Sequence, residues 1–245
     1  MSLIFSTSSE ASVSNGVKFL VHAPPGYGKT ALCATMPNPC VISAEAGLLS
    51  LKKENIIRMY GADAPGITYD LPVIIIKTAA DLEEAGQFFA SASQAKGLNP
   101  CLDSLSEIAE VVLAHLKKTC RDPRQAYGEM AERMTAFIRF FRDLPGKHVY
   151  FTCKQDRDKD ADGIVKAGPM MPGKQMTQNV GHFFDEFFAL DIMEFPQGVG
   201  QAPQKLRVLR TQPSITFQAK DRSGALLEIE EPNLTKIINK IQHVS

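Results

Sequence analysis

The sequence predicts an α/β fold in which helices flank a mainly parallel sheet that antiparallel strands extend near the C-terminal end. Two observations support this class. Short β-rich runs alternate with helical patterns from position 17 to position 153, and β-rich runs follow one another closely after position 187. Alternation is typical of parallel sheets, whereas neighbouring strands joined by turns favour antiparallel pairing.

The first element is a nearly continuous apolar run at 17–22, which we interpret as a buried parallel strand leading into a Pro/Gly-rich loop. Thr78 and Asp81 have the spacing of a capping box at the start of a helix. Further strands are expected at 40–43, 73–77, 101–103, 148–153, 187–193, 206–210 and 215–219, and helices at 30–36, 48–58, 81–96, 105–116, 124–144 and 234–242.

The length of 245 residues, 44% of them hydrophobic, is enough for one large core. We therefore expect a flexible N-terminal segment, 1–16, followed by a single domain, 17–245. Lys plus Arg equals Asp plus Glu at 27 each, so the formal net charge is zero. Any hold on nucleic acid must then come from a local patch or from several subunits side by side.

The five cysteines are widely spaced and have no metal-ligand pattern, which predicts reduced thiols in a cytoplasmic protein. The first residues lack the basic and apolar regions of a signal peptide. No stretch approaches the ~20 apolar residues of a membrane span. We expect a soluble protein without a membrane partner.

Residues 23–30 read A-P-P-G-Y-G-K-T, close to the phosphate-binding pattern G-x-x-x-x-G-K-[ST]. In that motif backbone N–H groups wrap the phosphates of ATP, the Lys reaches the β/γ oxygens and the hydroxyl binds Mg²⁺. Ala23 replaces the first Gly, a departure that matters only if the position needs a positive φ. A chance Gly-rich turn is disfavoured because a strand precedes and a helix follows. The predicted nucleotide contacts are Pro25, Gly26, Tyr27, Gly28, Lys29, Thr30 and Ala31.

Two carboxylates are candidates for the metal and for catalysis. Asp103 follows a short strand and is predicted to hold Mg²⁺ with Thr30, although a helix-capping Asp is the competing interpretation. Glu45 lies just past the strand at 40–43, where ligands gather in open α/β folds. As a lone residue it would be a surface glutamate, but beside a P-loop strand it is a candidate general base.

The order of P-loop, strand plus Glu45, and Asp103-Ser104 at a strand end resembles the RecA-like branch of P-loop ATPases. Residues 219–224, A-K-D-R-S-G, resemble the K-x-R finger that DnaB-type helicases insert into the neighbouring subunit's ATP site. From about 17 to 234, the chain resembles bacteriophage RecA-like proteins of the Sak-type single-strand annealing group.

This resemblance implies a RecA-like ATPase that acts on single-stranded DNA as a ring or filament, in the cytoplasm of a host bacterium. Its implied catalytic residues include Lys29, Glu45, a polar sensor at Lys154 or Gln155, and a finger formed by Lys220 and Arg222. The finger is expected at the end of a hairpin at 205–224. The alternative is that Lys220 and Arg222 are solvated surface residues without a role in catalysis.

The polar stretch 154–175 is predicted to be a long loop facing DNA, although its alternating charges and lack of aromatic residues weaken that interpretation. Two other functions stay open. One is a DNA translocase or packaging motor built on the same core. The other is a loader that ATP switches between affinities for a single-strand DNA-binding protein or a replicative helicase.

Overall fold

The computed structural model describes residues 7, 16–45, 47–159, 163–198 and 200–242. The N-terminal segment predicted to be flexible, 1–16, lies outside these residues except for Thr7 and Gly16. Ala46, inside the segment that resembles the RecA-like Glu strand, and residues 160–162 of the predicted DNA-facing loop also lie outside them.

The described residues form ten strands, seven α-helices and four short 3-10 segments. The strands are β1 (Lys18–Ala23), β2 (Pro39–Ser43), β3 (Val73–Ile75), β4 (Asn99–Asp103), β5 (Val149–Lys159), β6 (Val165–Met170), β7 (Glu186–Phe195), β8 (Gln204–Arg210), β9 (Lys220–Asp221) and β10 (Ile229–Glu230). The α-helices are α1 (Lys29–Leu32), α2 (Lys53–Tyr60), α3 (Ala79–Ser91), α4 (Leu105–Thr119), α5 (Pro123–Arg142), α6 (Lys174–Asn179) and α7 (Leu234–Gln242). The 3-10 segments are Cys33–Thr35, Leu48–Leu51, Ser93–Ala95 and Val180–Phe183.

All ten strands belong to one sheet with the main order β10-β8-β7-β1-β5-β4-β2-β3. The six strands from β7 to β3 in this order are mutually parallel. β8 and β10 extend the sheet antiparallel beyond β7, while β6 pairs with β5 and β9 pairs with the start of β7. The predicted fold class, a mainly parallel sheet with antiparallel strands near the C-terminal end, is confirmed.

Helices cover both faces of this sheet. Alternate residues of each strand point to opposite faces, so Leu20 of β1 packs in one apolar cluster with α3, α4 and α5. Phe19 and Val21 pack in the second cluster with α1, α2 and α7. Two buried layers hold the central strands rigidly, and the carboxyl ends of β1, β4 and β5 therefore meet at one fixed edge.

Local sequence signals account for the beginnings of the main helices. The Thr78 hydroxyl accepts a hydrogen bond from Asp81 N at 3.3 Å, and Thr78 N donates to Asp81 Oδ2 at 2.8 Å, so the predicted capping box is confirmed. Ser104 caps α4 by accepting from Glu107 N at 3.4 Å. The α4 helix thus begins directly after the strand that carries Asp103.

β4 includes Pro100, so it begins two residues before the strand that the sequence predicts at 101–103. Asn99 N donates to Asn38 O at 2.8 Å on the β2 side, so the next backbone nitrogen in the strand faces β5. Pairing of β4 with β5 begins only at Cys101. The N–H that proline lacks therefore has no ladder partner to lose.

The prediction of a long loop at 154–175 is wrong. β5 continues to Lys159 and pairs antiparallel with β6, so this stretch contains a β-hairpin, and α6 begins at Lys174. The edge of β6 is covered in turn: Ala167 N donates to Thr216 O, and Gln218 N donates to Ala167 O, both at 2.8 Å. These residues show no alternation of apolar and polar side chains. They form strands because β6 has backbone hydrogen bonds on both of its sides.

The predicted hairpin at 205–224 is also wrong. β8 pairs with the preceding strand β7, and the predicted strand at 215–219 forms only one bridge, between Phe217 and Ala167. Lys220 and Asp221 form β9 against the start of β7. Lys220 therefore lies on a short edge strand and Arg222 directly follows it, so neither is at a hairpin tip.

Candidate active site

The turn between β1 and α1 has the backbone of a phosphate-binding loop. Gly26 and Gly28 have φ values of 82° and 105°, a region that disfavours side chains. Ala23 is the last residue of the extended strand β1, so the departure from the motif requires no unusual backbone. Lys29 Nζ donates to Ala23 O at 2.7 Å and to Pro24 O at 3.1 Å, which keeps its ammonium at the mouth of the loop.

The predicted metal side of the site is assembled at the end of β4. Thr30 Oγ1 donates to Asp103 Oδ2 at 2.8 Å, and Thr152 Oγ1 donates to Oδ1 at 2.6 Å. Burial raises the pKa of Asp103, while these two hydroxyls and the Lys29 ammonium favour its charged form. A hydroxyl and a carboxylate side by side are hard oxygen ligands of the kind that Mg²⁺ takes together with substrate phosphates. The donor set therefore fits magnesium.

Glu45 lies next to this pair. β2 is in register with β4, Ser43 opposite Asp103, and Ala44 N donates to Asp103 O at 2.9 Å. Ser104 Oγ donates to Glu45 Oε1 at 2.5 Å. Burial lowers the pKa of Lys29, and the negative charge of Glu45 is the largest effect that opposes this. The charge of Glu45 therefore acts on the ammonium of the phosphate-binding lysine.

The chain contains an AAA domain, since the model of that family matches residues 15–223. It belongs to this family. The match covers most of the chain, and it indicates a P-loop protein that binds nucleotide, with ATPase activity in general. Among curated proteins, no sequence matches the chain.

The two predicted sensor positions of the AAA domain point to opposite faces of β5. Lys154 shares a face with Thr152, and its ammonium pairs with the carboxylate of Glu107. That ion pair raises the pKa of Lys154. Gln155 turns away, and its Oε1 lies 3.0 Å from His22 Nδ1. Strand alternation therefore brings Lys154, and not Gln155, to the face that carries Asp103.

Lys220 and Arg222 lie away from the P-loop of their own AAA domain, near the start of β7. Lys220 Nζ donates to Phe184 O at 2.5 Å and to Gly181 O at 3.1 Å, and burial lowers its pKa. Arg222 pairs with Asp185 at 2.9 Å. β9 lies beside the first residues of β7, whereas the P-loop follows the last residue of the parallel strand β1. Lys220 and Arg222 therefore lie at the opposite end of the strands from the nucleotide site of their own chain.

Sequence reasoning missed several residues of the site. Thr152 holds Asp103, and its only signal is a lone hydroxyl in an apolar run. Tyr150 Oη donates to Lys29 O at 3.0 Å from the same strand. Arg207 Nε donates to Tyr27 O at 3.0 Å from β8. Nothing local in the sequence connects β8 with the P-loop, because that contact depends on strand pairing.

In the described part of the chain, no three His, Cys, Asp or Glu residues form a cluster that could hold a metal by themselves. None of the helices in the described ranges has the length and apolar character that a bilayer crossing demands.

Proposed function

We propose that this chain is a RecA-like ATPase of the phage single-strand annealing type, which hydrolyses ATP between adjacent copies and acts on single-stranded DNA. One observation carries the proposal. Thr30 donates to Asp103 at 2.8 Å beside Lys29 and Glu45, which joins phosphate, metal and base candidates at one edge of the sheet. A simple nucleotide switch has no need of a base held in this way.

Hydrolysis requires an in-line attack of water on the γ-phosphorus. Lys29 would neutralise the β/γ oxygens, and Glu45 would orient the water and accept its proton as the bond to the β–γ bridging oxygen breaks. Magnesium, held by Thr30 and Asp103, would supply charge neutralisation at the same oxygens. Lys154 reaches the γ-phosphate once its ammonium leaves the Glu107 carboxylate.

The β5–β6 hairpin supports contact with DNA better than its sequence suggested. Residues whose charges alternate along the chain separate onto two faces of the hairpin. Arg157 and Lys159 share a face with Val165 and Ala167. The acidic Asp156 and Asp158 lie on the other face. Exposed cations on one face give the sequence-independent phosphate contacts that single strands require.

The experiment for DNA binding compares Lys159→Gln with Lys166→Gln, one charge removed from each face of the same hairpin. The Lys159 variant should bind an oligothymidylate about threefold to tenfold more weakly, and the slope of log affinity against log salt should fall by about 0.7. The Lys166 variant should change less. Equal changes in the two variants, or none, would remove this face from the DNA site.

The shared site rests on Arg222, whose guanidinium is exposed beyond its pairing with Asp185. An arginine supplied by a neighbouring subunit stabilises the charge of the transition state, so Arg222→Ala should lower hydrolysis by at least about tenfold. A mixture of Arg222→Ala and Lys29→Ala proteins should recover part of the activity, because one interface then has an intact P-loop and an intact finger. A mixture no more active than its components would argue for separate sites.

The mass in solution provides the independent test of assembly. We expect larger species with ATP and single-stranded DNA than without them, measured by light scattering behind a sizing column. A monomer under both conditions would overturn the oligomeric part of the proposal and leave the ATPase part standing.

A further inference from the structure

Arg207 reaches the P-loop from a strand that the nucleotide motif does not include. It lies on β8 opposite Ile192 of β7, three residues past Ala189, where β7 last pairs with β1. Its side chain shares a face with Leu209, which packs in the cluster that contains α1. The pairing of β8 with β7 and of β7 with β1 therefore places the Arg207 guanidinium near the end of β1, where the phosphate-binding turn begins.

The contact with the loop is specific. Arg207 Nε donates to Tyr27 O at 3.0 Å. A Cβ at Gly28 would lie 3.4 Å from Arg207 Nε and 3.8 Å from Met59 Sδ. Arg207 from β8 and Met59 from α2 thus both lie against the backbone of the phosphate-binding turn.

The charge of Arg207 differs from the other basic charges of β8. Arg210 pairs with Asp191 at 2.7 Å, and Lys205 pairs with Glu194 at 3.1 Å. Arg207 is exposed and forms no ion pair with any carboxylate of the described residues; its hydrogen bond there goes to an uncharged carbonyl. The guanidinium has five N–H donors, of which one is used by Tyr27. A full positive charge with unused donors therefore lies beside the phosphate-binding turn.

The sheet order indicates which end of the nucleotide this charge meets. β4 and β2, which carry Asp103 and Glu45, lie on one side of β1, and β7 and β8 lie on the other. The metal and base candidates define the γ-phosphate end on the first side. An extended triphosphate then directs its α-phosphate and nucleoside towards β8, about 10 Å away across two strand spacings.

We propose that Arg207 binds the α-phosphate of the nucleotide within its own chain. This inference rests on the proposed ATPase function and adds to it a binding residue that acts on ATP and ADP alike. The guanidinium keeps the Nε bond to the loop and offers its terminal N–H groups to a non-bridging oxygen, since paired donors suit phosphate geometry.

The test measures binding of Mg·ATP and Mg·ADP by titration calorimetry for wild type, Arg207→Ala, Arg207→Lys and Lys205→Ala. We expect Arg207→Ala to lose about tenfold in affinity for both nucleotides, since one charge-assisted hydrogen bond is removed. Arg207→Lys should keep part of the affinity. Lys205→Ala, which removes the same charge from the same face of β8, should bind as wild type does. In steady-state hydrolysis KM should rise while kcat stays within about twofold.

Each alternative result overturns the assignment. Loss confined to ATP would put the guanidinium at the γ-phosphate, and equal loss in Lys205→Ala would reduce the effect to general charge. Unchanged affinity in Arg207→Ala would remove the residue from the site while leaving the ATPase proposal intact. Failure of wild type to bind either nucleotide, with Lys29→Ala as its reference, would instead overturn the proposed function.

Discussion

The charged groups of the nucleotide site differ in their partners from Arg222 and Glu186 at the opposite end of the parallel strands. At the carboxyl end, Asp103 and Glu45 receive hydrogen bonds from uncharged hydroxyls, and Lys29 donates to carbonyl oxygens. At the amino end of β7, Arg222 pairs with Asp185, and Glu186 lies beside Asp221 and accepts a hydrogen bond from Ser223 N at 3.2 Å. Charges held by neutral partners keep their attraction for ions, whereas charges neutralised within the chain mainly affect stability. Substitutions of Asp103, Glu45 or Lys29 should therefore change activity, and substitution of Glu186 should change folding. Arg222 is the exception at the second end, because its proposed role is in the site of a neighbouring subunit.

The largest effect is expected at the carboxyl end from Glu45→Gln. The amide keeps the hydrogen bond from Ser104 but cannot accept a proton, so kcat for ATP hydrolysis should fall by about 10²–10⁴. The melting temperature should stay near that of wild type, and Mg·ATP should still bind. Glu54→Gln, a matched change on the exposed first turn of α2, should hydrolyse normally. Undiminished hydrolysis in Glu45→Gln would show that this glutamate is not the base.

A smaller effect, on stability alone, is expected at the other end from Glu186→Gln. Glu186 is almost completely buried, one carboxyl oxygen has no partner within the described residues, and burial beside Asp221 raises its pKa to about 8. The native state thus keeps a proton that the unfolded chain gives up above its usual pKa of 4.5. The native state binds more protons across this range, so stability falls as pH rises from about 4.5 to about 8.

Glutamine removes this titration and stays uncharged beside Asp221. Unfolding in urea should show Glu186→Gln to be more stable than wild type by up to about 4 kcal/mol at pH 8, with a much smaller difference at pH 5. A difference that is the same at both pH values would mean that Glu186 is ionised in the native protein. ATP hydrolysis at pH 7 should be unchanged, because this residue lies away from the nucleotide.

The parts of the fold that local signals determine were predictable from the sequence. The capping box at Thr78, the strand before the P-loop and α7 all depend on residues adjacent in the chain. The β5–β6 hairpin was not predictable, because the polar run K-Q-D-R-D-K at 154–159 gives no apolar face and the strand exists through its backbone partners. Ile215 was assigned to a strand for its β propensity, yet it is 71% exposed and unpaired in the sheet.

The candidate site divides in the same way. The motif and the strand ends were enough to bring Thr30, Asp103 and Glu45 together in prediction. Thr152 and Arg207 could not be found, because their contacts depend on β5 lying beside β4 and on β8 folding back over β7. Residues that come to a site through strand order have no local pattern to identify them.

The smallest of these effects concerns Ser104, which belongs to both the site and the fold. Its hydroxyl donates to Glu45 Oε1 at 2.5 Å and accepts from Glu107 N at 3.4 Å as the cap of α4. Ser104→Ala should therefore cost about 1 kcal/mol of stability as a lost cap. It should also lower kcat by about tenfold, because Glu45 loses the group that orients it. KM for ATP should stay unchanged, since no nucleotide contact is removed.

Thr78→Ala is the matched control that separates these two roles. Thr78 caps α3 through the same kind of hydrogen bond, and α3 carries none of the site residues. Both variants should lose similar stability in urea unfolding, but only Ser104→Ala should lose hydrolysis at temperatures where both are folded. Equal hydrolysis in the two would reduce Ser104 to a helix cap, and Glu45 would then be oriented by its backbone alone, through the 2.8 Å bond that Ser43 Oγ donates to Glu45 O.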